Sequence, residues 1–372
     1  MDSCHEPDNE DTSDVRAIAF YLPQFHPTAE NDEWWEPGFT EWTAVTRARP
    51  LFRGHAQPRE PGALGFYDLR LADVRQQQAD LARHSGIHGF CYWHYWLGGG
   101  RRLLHRPFDE VLRLGEPDFP FCLGWANHDW RARFFGAGNR CLVKQTYPGE
   151  KDSRAHFEHL LQAFSDRRYI RVDGKPVFYV FSPNDVPAAA TFFQQWRDWA
   201  AAAGLPGLYL VGQGSDKDLI TGLGFDAFCP GSGSLAAERA RRNRNRLDEA
   251  LRKLRKQPMK IEYQQVCRDW PYQDACPSDV APVIHCDWDV TPRYGAKGEL
   301  FVGFTPERFR QHAESVLRPI RRNPDHSGIV FVKSWNEWAE GNYMEPDKAR
   351  GTALLDAFAA ALGETRNRGS GE

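Results

Sequence analysis

Eight short apolar runs are spaced along this chain of 372 residues, with helical patterning between them. They are AIAFYL at 17–22, GIHGFCYWHYW at 86–96, FPFCLGWA at 119–126 and KPVFYVF at 175–181. LYLVGQ at 208–213, FDAFCP at 225–230, PVIHCDW at 282–288 and GIVFVKSW at 328–335 complete the set. Helical patterns fall at 71–85, 155–165, 191–203 and 306–318. Strands that alternate with helices build βα units and a parallel sheet, and eight such units predict a single (β/α)8 barrel with elaborated loops. The length suits one large barrel, no linker divides the chain, and the barrel domain is expected over 16–363.

Polar residues collect at one end of these runs. Gln24 and His26 follow the first, before a long aromatic loop with Trp34, Trp35 and Trp42. The second ends around His94, the third in WANHDW (Trp125, Asn127, His128, Asp129, Trp130), and the fifth leads to Gln213. The seventh ends in Asp287-Trp288-Asp289 and the eighth in SWNEWAEG, where Glu337 and Glu340 stand three residues apart. Barrel enzymes keep their sites at the C-terminal ends of the strands, so Trp42, His94, Trp125, Asp287 and Glu337 are expected around one mouth. Plainer readings exist for each. His88 and His94 also suit a core or rim, Gln24 and His26 a Pro-bounded turn, the loop tryptophans a seal, and a lone glutamate a helix cap.

Composition narrows the chemistry. Aromatic residues make up 13% of the chain, 13 of them tryptophan, clustered with carboxylates, amides and histidines. That mixture suits a sugar site, where flat rings cover C–H faces and polar groups take hydroxyls. A net charge of -3 gives no general field for nucleic acid. No apolar run approaches the roughly 20 residues that span a bilayer. The acidic start, unlike a signal peptide, points to a cytoplasmic protein, with tails expected at 1–15 and 364–372. Eight cysteines without C-x-x-C spacing read as reduced thiols, and neither a metal nor a cofactor is expected. The stretch ERARRNRNRLDEALRKLRK at 238–256 is basic. It reads as a solvated helix, or as part of an excursion over the mouth between residues 231 and 282. There Arg241, Arg242, Arg244 and Arg246 would meet an anionic glycan or lipid-linked phosphate.

Cleaving a glycosidic bond takes one carboxylic acid to protonate the leaving oxygen and one carboxylate as nucleophile or base. Two neighbouring carboxylates repel, so one pKa rises and a proton is shared. Glu337 and Glu340, at i and i+3 across a turn, can both face one cavity.

The strings AFYLPQFHP, NDEWWEPGFTEWT, GFYDLR, GFCYWHYW, DFPFCLGWAN and WNEWAEGNYMEP resemble the WbsX family, a group similar to glycoside hydrolase family 99 and often met in polysaccharide gene clusters. The match runs from about Ala17 to about Leu362. The resemblance implies a barrel acting on a polysaccharide, oligosaccharide or lipid-linked glycan, α-mannoside-like by analogy with the endo-α-mannosidases and mannanases. It implies a retaining reaction without an enzyme nucleophile. Glu337 would deprotonate the sugar's 2-hydroxyl, and Glu340 would protonate the leaving group and then activate water. Substrate contacts are expected from Tyr21, Gln24, His26, Trp42, His94, Trp125, Asn127, Asp129, Asp287, Trp288, Trp335, Asn336, Tyr343 and Glu345. Where relatives commonly read WANENW this chain has WANHDW, and where they read DNTPR it has Asp289-Val290-Thr291-Pro292-Arg293. Two rival readings stand beside the hydrolase. One is a glycosyltransferase of O-antigen or exopolysaccharide synthesis, with Asp287-x-Asp289 as a metal-holding D-x-D. The other is a non-catalytic glycan-binding barrel.

Overall fold

The structure is a computed structural model and describes residues 15–132, 134, 140–231, 252 and 254–363. The expected tails, apart from Val15, and the four arginines from Arg241 to Arg246 lie outside the described residues.

Eight parallel strands form the barrel: β1 (Arg16–Tyr21), β2 (Gly89–Trp96), β3 (Phe121–Trp125), β4 (Lys175–Val180), β5 (Tyr209–Gly214), β6 (Ala227–Pro230), β7 (Val283–His285) and β8 (Ile329–Lys333). Their order is β6-β5-β4-β3-β2-β1-β8-β7. β1 lies between Gly89–Tyr92 of β2 and Ile329–Val332 of β8. The remaining seam, between β6 and β7, is closed just before β7. There the Phe228 N–H donates to the Asp279 carbonyl and the Ala281 N–H to the Phe228 carbonyl, both at 2.8 Å. Helices Ala72–His84, Arg106–Leu114, Glu150–Phe164, Ala189–Ala202, Pro306–Arg321 and Ala353–Ala361 carry apolar residues that bury against the outside of this sheet.

Each strand is apolar on both faces because each face is covered: one by helices, the other by the side chains that fill the barrel. Inside, Phe20 stacks on Trp93 at 4.8 Å and on Phe331 at 5.0 Å. Gly124 makes this possible, since a Cβ there would stand 3.1 Å from the Cys91 sulfur and 3.2 Å from the Trp93 ring. Outside, Trp125 stacks over Trp196, with centroids 6.2 Å apart. Cys91, Cys122, Cys229 and Cys286 are buried free thiols, as their apolar context predicts.

Part of the long β6–β7 connection is described. Strand Met259–Glu262 pairs in parallel with Glu299–Val302, and the small core around Tyr263 and Phe301 packs against Trp288 at the mouth. No helix among the described residues is long and apolar enough to cross a membrane.

Candidate active site

After β8 the chain makes a tight excursion. Asn336–Glu337 pairs antiparallel with Asn342–Tyr343, and a 3₁₀ turn, Trp338–Glu340, joins them. Gly341 closes the turn at φ 65°, where a Cβ would press to 2.8 Å from Asp289. A 3₁₀ turn brings residues three apart onto one side, so the Glu337 and Glu340 carboxylates converge. The excursion is well anchored. The Asn336 amide pairs with Leu22 as a strand would, accepting from its N–H at 2.7 Å and donating to its carbonyl at 3.1 Å. The Trp335 N–H donates to the Phe20 carbonyl. Trp338 lies on the Tyr343 ring at 3.8 Å and donates its indole N–H to Glu345.

Both glutamates meet one guanidinium. Arg293 donates NH1 to Glu340 and NH2 to Glu337 at 3.3 Å, and NH2 also reaches a third carboxylate, Glu41, at 2.8 Å. Glu41 opens the helix Glu41–Arg47, is fully buried, and accepts from the Ala339 N–H at 3.2 Å. Lys333 stands 3.9 Å from the other Glu340 oxygen and 4.7 Å over the Trp288 ring. Arg293 is itself set by Asp289, whose carboxylate accepts from the Thr291 N–H and hydroxyl at the start of Arg293's helix. If all were ionised, three carboxylates would face two cations in a desolvated space. Burial and then the charge of Glu340 push Glu337 up to about 8, against the opposing pull of Arg293. Burial and the neighbouring charge thus favour the protonated form of Glu337, while Glu340 lies on Arg293.

The pair sits at the side of a cavity of about 570 Å³, well within the ~300–1,000 Å³ of small-ligand sites. Trp93, Tyr95, Trp130, Phe134, Phe181 and Trp288 wall it. Gln24, Gln213, His128, Arg131 and Lys333 supply polar edges. Among the described residues the buried Gln24 Nε2 has no partner, which leaves a donor for a ligand.

Of the residues expected at the site, Gln24, Trp288, Glu337 and Glu340 line this cavity. Others do not. In β2, Trp93 and Tyr95 point inward, so His94 points outward, where its Nε2 meets His156 Nε2 at 2.8 Å. Trp125 likewise faces the helices, because Gly124 in β3 and Ala126 just after it take the inner positions. Tyr21 also faces outward, donating to Gln78 at 2.7 Å, and Trp335 packs on Phe90 with no exposed surface. The expectation that Trp42, His94, Trp125, Asp287 and Glu337 ring one mouth is thus corrected: of these, Glu337 alone lines the cavity. Side chains alternate along a strand, and a one-residue error in phase reverses every assignment.

The other displaced candidates brace the site. Trp42 donates to the Tyr67 carbonyl and packs under Trp338, as a seal would. His26 is buried outside the cavity, its pKa driven down to about 4 mainly by burial. Asn127 ties β3 to β4 through both Ser182 backbone groups and also reaches the Tyr147 hydroxyl. Asp129 pairs with Arg131 at 2.6 Å. Tyr343 donates to Asp347, while Glu345 accepts from Tyr67, Gln78 and Trp338. The D-x-D carboxylates are both engaged by protein cations. Asp287 pairs with Arg59 and Arg350, and Asp289 with His55 and Arg59. Among the described residues no three His, Cys, Asp or Glu side chains gather as a metal site.

Glu41, Arg293, Trp93 and Tyr95 were not singled out from the sequence. Arg293 was visible in the DVTPR stretch and Glu41 in FTEW, but what they share is contact across more than 250 residues of chain, a relation no local motif displays.

A (β/α)8 barrel with clustered carboxylates in an aromatic-walled mouth at the strand ends has the architecture of the barrel enzymes. Comparison with known proteins agrees. The family model described as "Glycosyltransferase WbsX" matches residues 17–358, and the chain belongs to that family. Two WxcX proteins from strains of Xanthomonas campestris pv. campestris, described as uncharacterized, are each 35% identical over 357 residues, covering 95% of this chain and 50% of theirs. The chain spans about half the length of these curated relatives. Among solved structures, a glycoside hydrolase-like protein superposes with a TM-score of 0.61 at 17% identity, covering 96% of both chains. A family 99 endo-α-mannosidase from Bacteroides thetaiotaomicron superposes at 0.54 and 14% identity, covering 95% of this chain and 98% of its own. At such identities the likeness concerns the fold.

Proposed function

We propose that this chain cleaves a glycosidic bond within a polysaccharide or oligosaccharide, with Glu337 and Glu340 as the acid–base pair. The observation that carries this reading is their meeting on Arg293 at the side of an aromatic-walled cavity. The raised pKa of Glu337 favours it as the proton-carrying member of the pair in the free protein, the reverse of the order the family resemblance implies. Glu337 then donates that proton to the leaving oxygen as the C1–O bond breaks. The Glu340 carboxylate either attacks C1 or takes the proton of the sugar's 2-hydroxyl, whose oxygen attacks C1 instead. Water opens the resulting intermediate with retention and gives its proton to Glu337, while in the 2-hydroxyl route Glu340 hands its proton back to O2. The α-mannosidic class follows by analogy with the family 99 endo-α-mannosidase, whose fold this chain shares.

The family's description favours a second reading, sugar transfer from a nucleotide donor. One experiment separates them. Digestion of a glycan library with no donor present, read by mass spectrometry, is expected to release new reducing ends. Extension of a glycan by one sugar with release of nucleoside diphosphate, seen only when a nucleotide diphosphate sugar and magnesium are supplied, would replace the hydrolase by the transferase. A 2-fluoro sugar with a good leaving group divides the two hydrolytic routes: a labelled Glu340 indicates direct attack, and an unreacted, unlabelled protein indicates attack by the 2-hydroxyl.

A further inference from the structure

The mouth has a second compartment. Beside the main cavity lies a lobe of about 350 Å³, lined by Asn127, Asp129, Gln145, Tyr147 and the three residues it shares with the main cavity, His128, Arg131 and Asp185. Its walls come from the loop after β3, the hairpin of Trp130–Arg131 with Cys141–Val143, and the turn Pro183–Asp185 after β4. The lobe is pre-built, since Asn127 holds the β3 and β4 ends together through its three bonds to Ser182 and Tyr147.

Its chemistry is one-sided. Gln145 is 8% exposed, and its Nε2 donates to the Thr146 carbonyl at 3.1 Å, which fixes the amide orientation. Its Oε1 is buried with no partner among the described residues. Asp129 accepts from the Gln145 N–H at 3.0 Å and holds Arg131, which neutralises that cation. Asp185, on the rim, has no bond to its carboxylate among the described residues. Among its described lining residues the lobe therefore offers two acceptors, Gln145 Oε1 and the Asp185 carboxylate, and more carboxylates than cations. A buried acceptor without a donor is costly, and a ligand hydroxyl removes that cost. An anionic sugar would meet the Asp185 carboxylate, while the cation among the described lining residues, Arg131, is already paired with Asp129.

We propose that this lobe binds an uncharged, hydroxyl-bearing sugar further along the same glycan whose bond lies at Glu337 and Glu340. The substrate is then a chain that crosses the neck at His128, Arg131 and Asp185, and a single sugar does not fill the site. This inference rests on the glycan reading above.

The test uses the Glu340→Gln chain, which keeps the mouth, on an array of neutral and uronate-bearing oligosaccharides. The tightest binder, and the same glycan shortened one sugar at a time, are then titrated by calorimetry. The titrations are repeated after adding Gln145→Ala or Asp185→Ala, with Gln145→Met as a volume-keeping alternative and melting curves to verify folding. Each change is expected to weaken the full-length neutral glycan about tenfold, the worth of one hydrogen bond to a charged or buried partner. Below a certain length the substitutions should cost nothing. Equal losses at every length, no loss at all, or a preference for uronates that depends on Gln145 and Asp185 would each overturn the lobe assignment. An array with no binder would instead overturn the glycan reading itself.

Discussion

Glu337 has its pKa pushed up to about 8 by burial and by Glu340, against an ordinary value of 4.5. The sign of the consequence follows from proton counting. Between those two values the folded chain holds a proton that the unfolded chain has released, so folding loses stability as pH rises through this window. Glutamine mimics the protonated acid and does not titrate. The melting-temperature difference between Glu337→Gln and the parent should therefore shift in the variant's favour between pH 5 and pH 8.5. A difference that stays constant across this range, followed by calorimetry, would place the proton elsewhere. Turnover should fall as pH rises through about 8 if Glu337 donates, and should rise if it is the base. The glutamate pair could be found in the sequence because it lies within four residues. Its setting could not, because Glu41 and Arg293 approach it from distant parts of the chain.

Barrel strands explain why the walls were harder to read than the strands themselves. In an amphipathic strand, polar residues mark the exposed face and set the phase. In β2 both faces are buried, and aromatic side chains stand on each: Trp93 and Tyr95 inside, Tyr92, His94 and Trp96 outside. The one polar residue, His94, drew the functional reading but belongs to the helix-facing layer with His156 and His159. The phase becomes visible only through packing, as in the room Gly124 leaves for Trp93. A paired substitution tests it. Trp93→Phe, which shrinks a cavity wall, is expected to reduce glycan affinity by about tenfold or more, since a lost stacking platform is worth ~1–3 kcal/mol. His94→Gln should leave that affinity unchanged and lower the melting temperature. The opposite pattern in calorimetric titrations would return His94 to the site.

At the scale of the whole barrel, closure is uneven. β1 to β5 and β8 share continuous ladders, such as five register pairs between β2 and β3 and four between β4 and β5. The β6–β7 seam depends on Phe228, whose N–H and carbonyl bond to Asp279 and Ala281 rather than to β7 itself. Lys217 ties the same point from outside, at 2.5 Å from Asp279. This is also where a long connection leaves the barrel, beside Gly231 and Trp288 on the cavity wall. Local opening free energy follows the number of buried contacts and ladder bonds that must break together. Amides at 227–230 and 279–285 should therefore exchange with deuterium faster than those of β1, β2 and β8, although β6 and β7 are buried as well. Lys217→Met, which removes the outer tie, should widen that gap without altering exchange in β1. Uniform protection around the barrel would show that residues 279–281 close the seam as firmly as a full ladder.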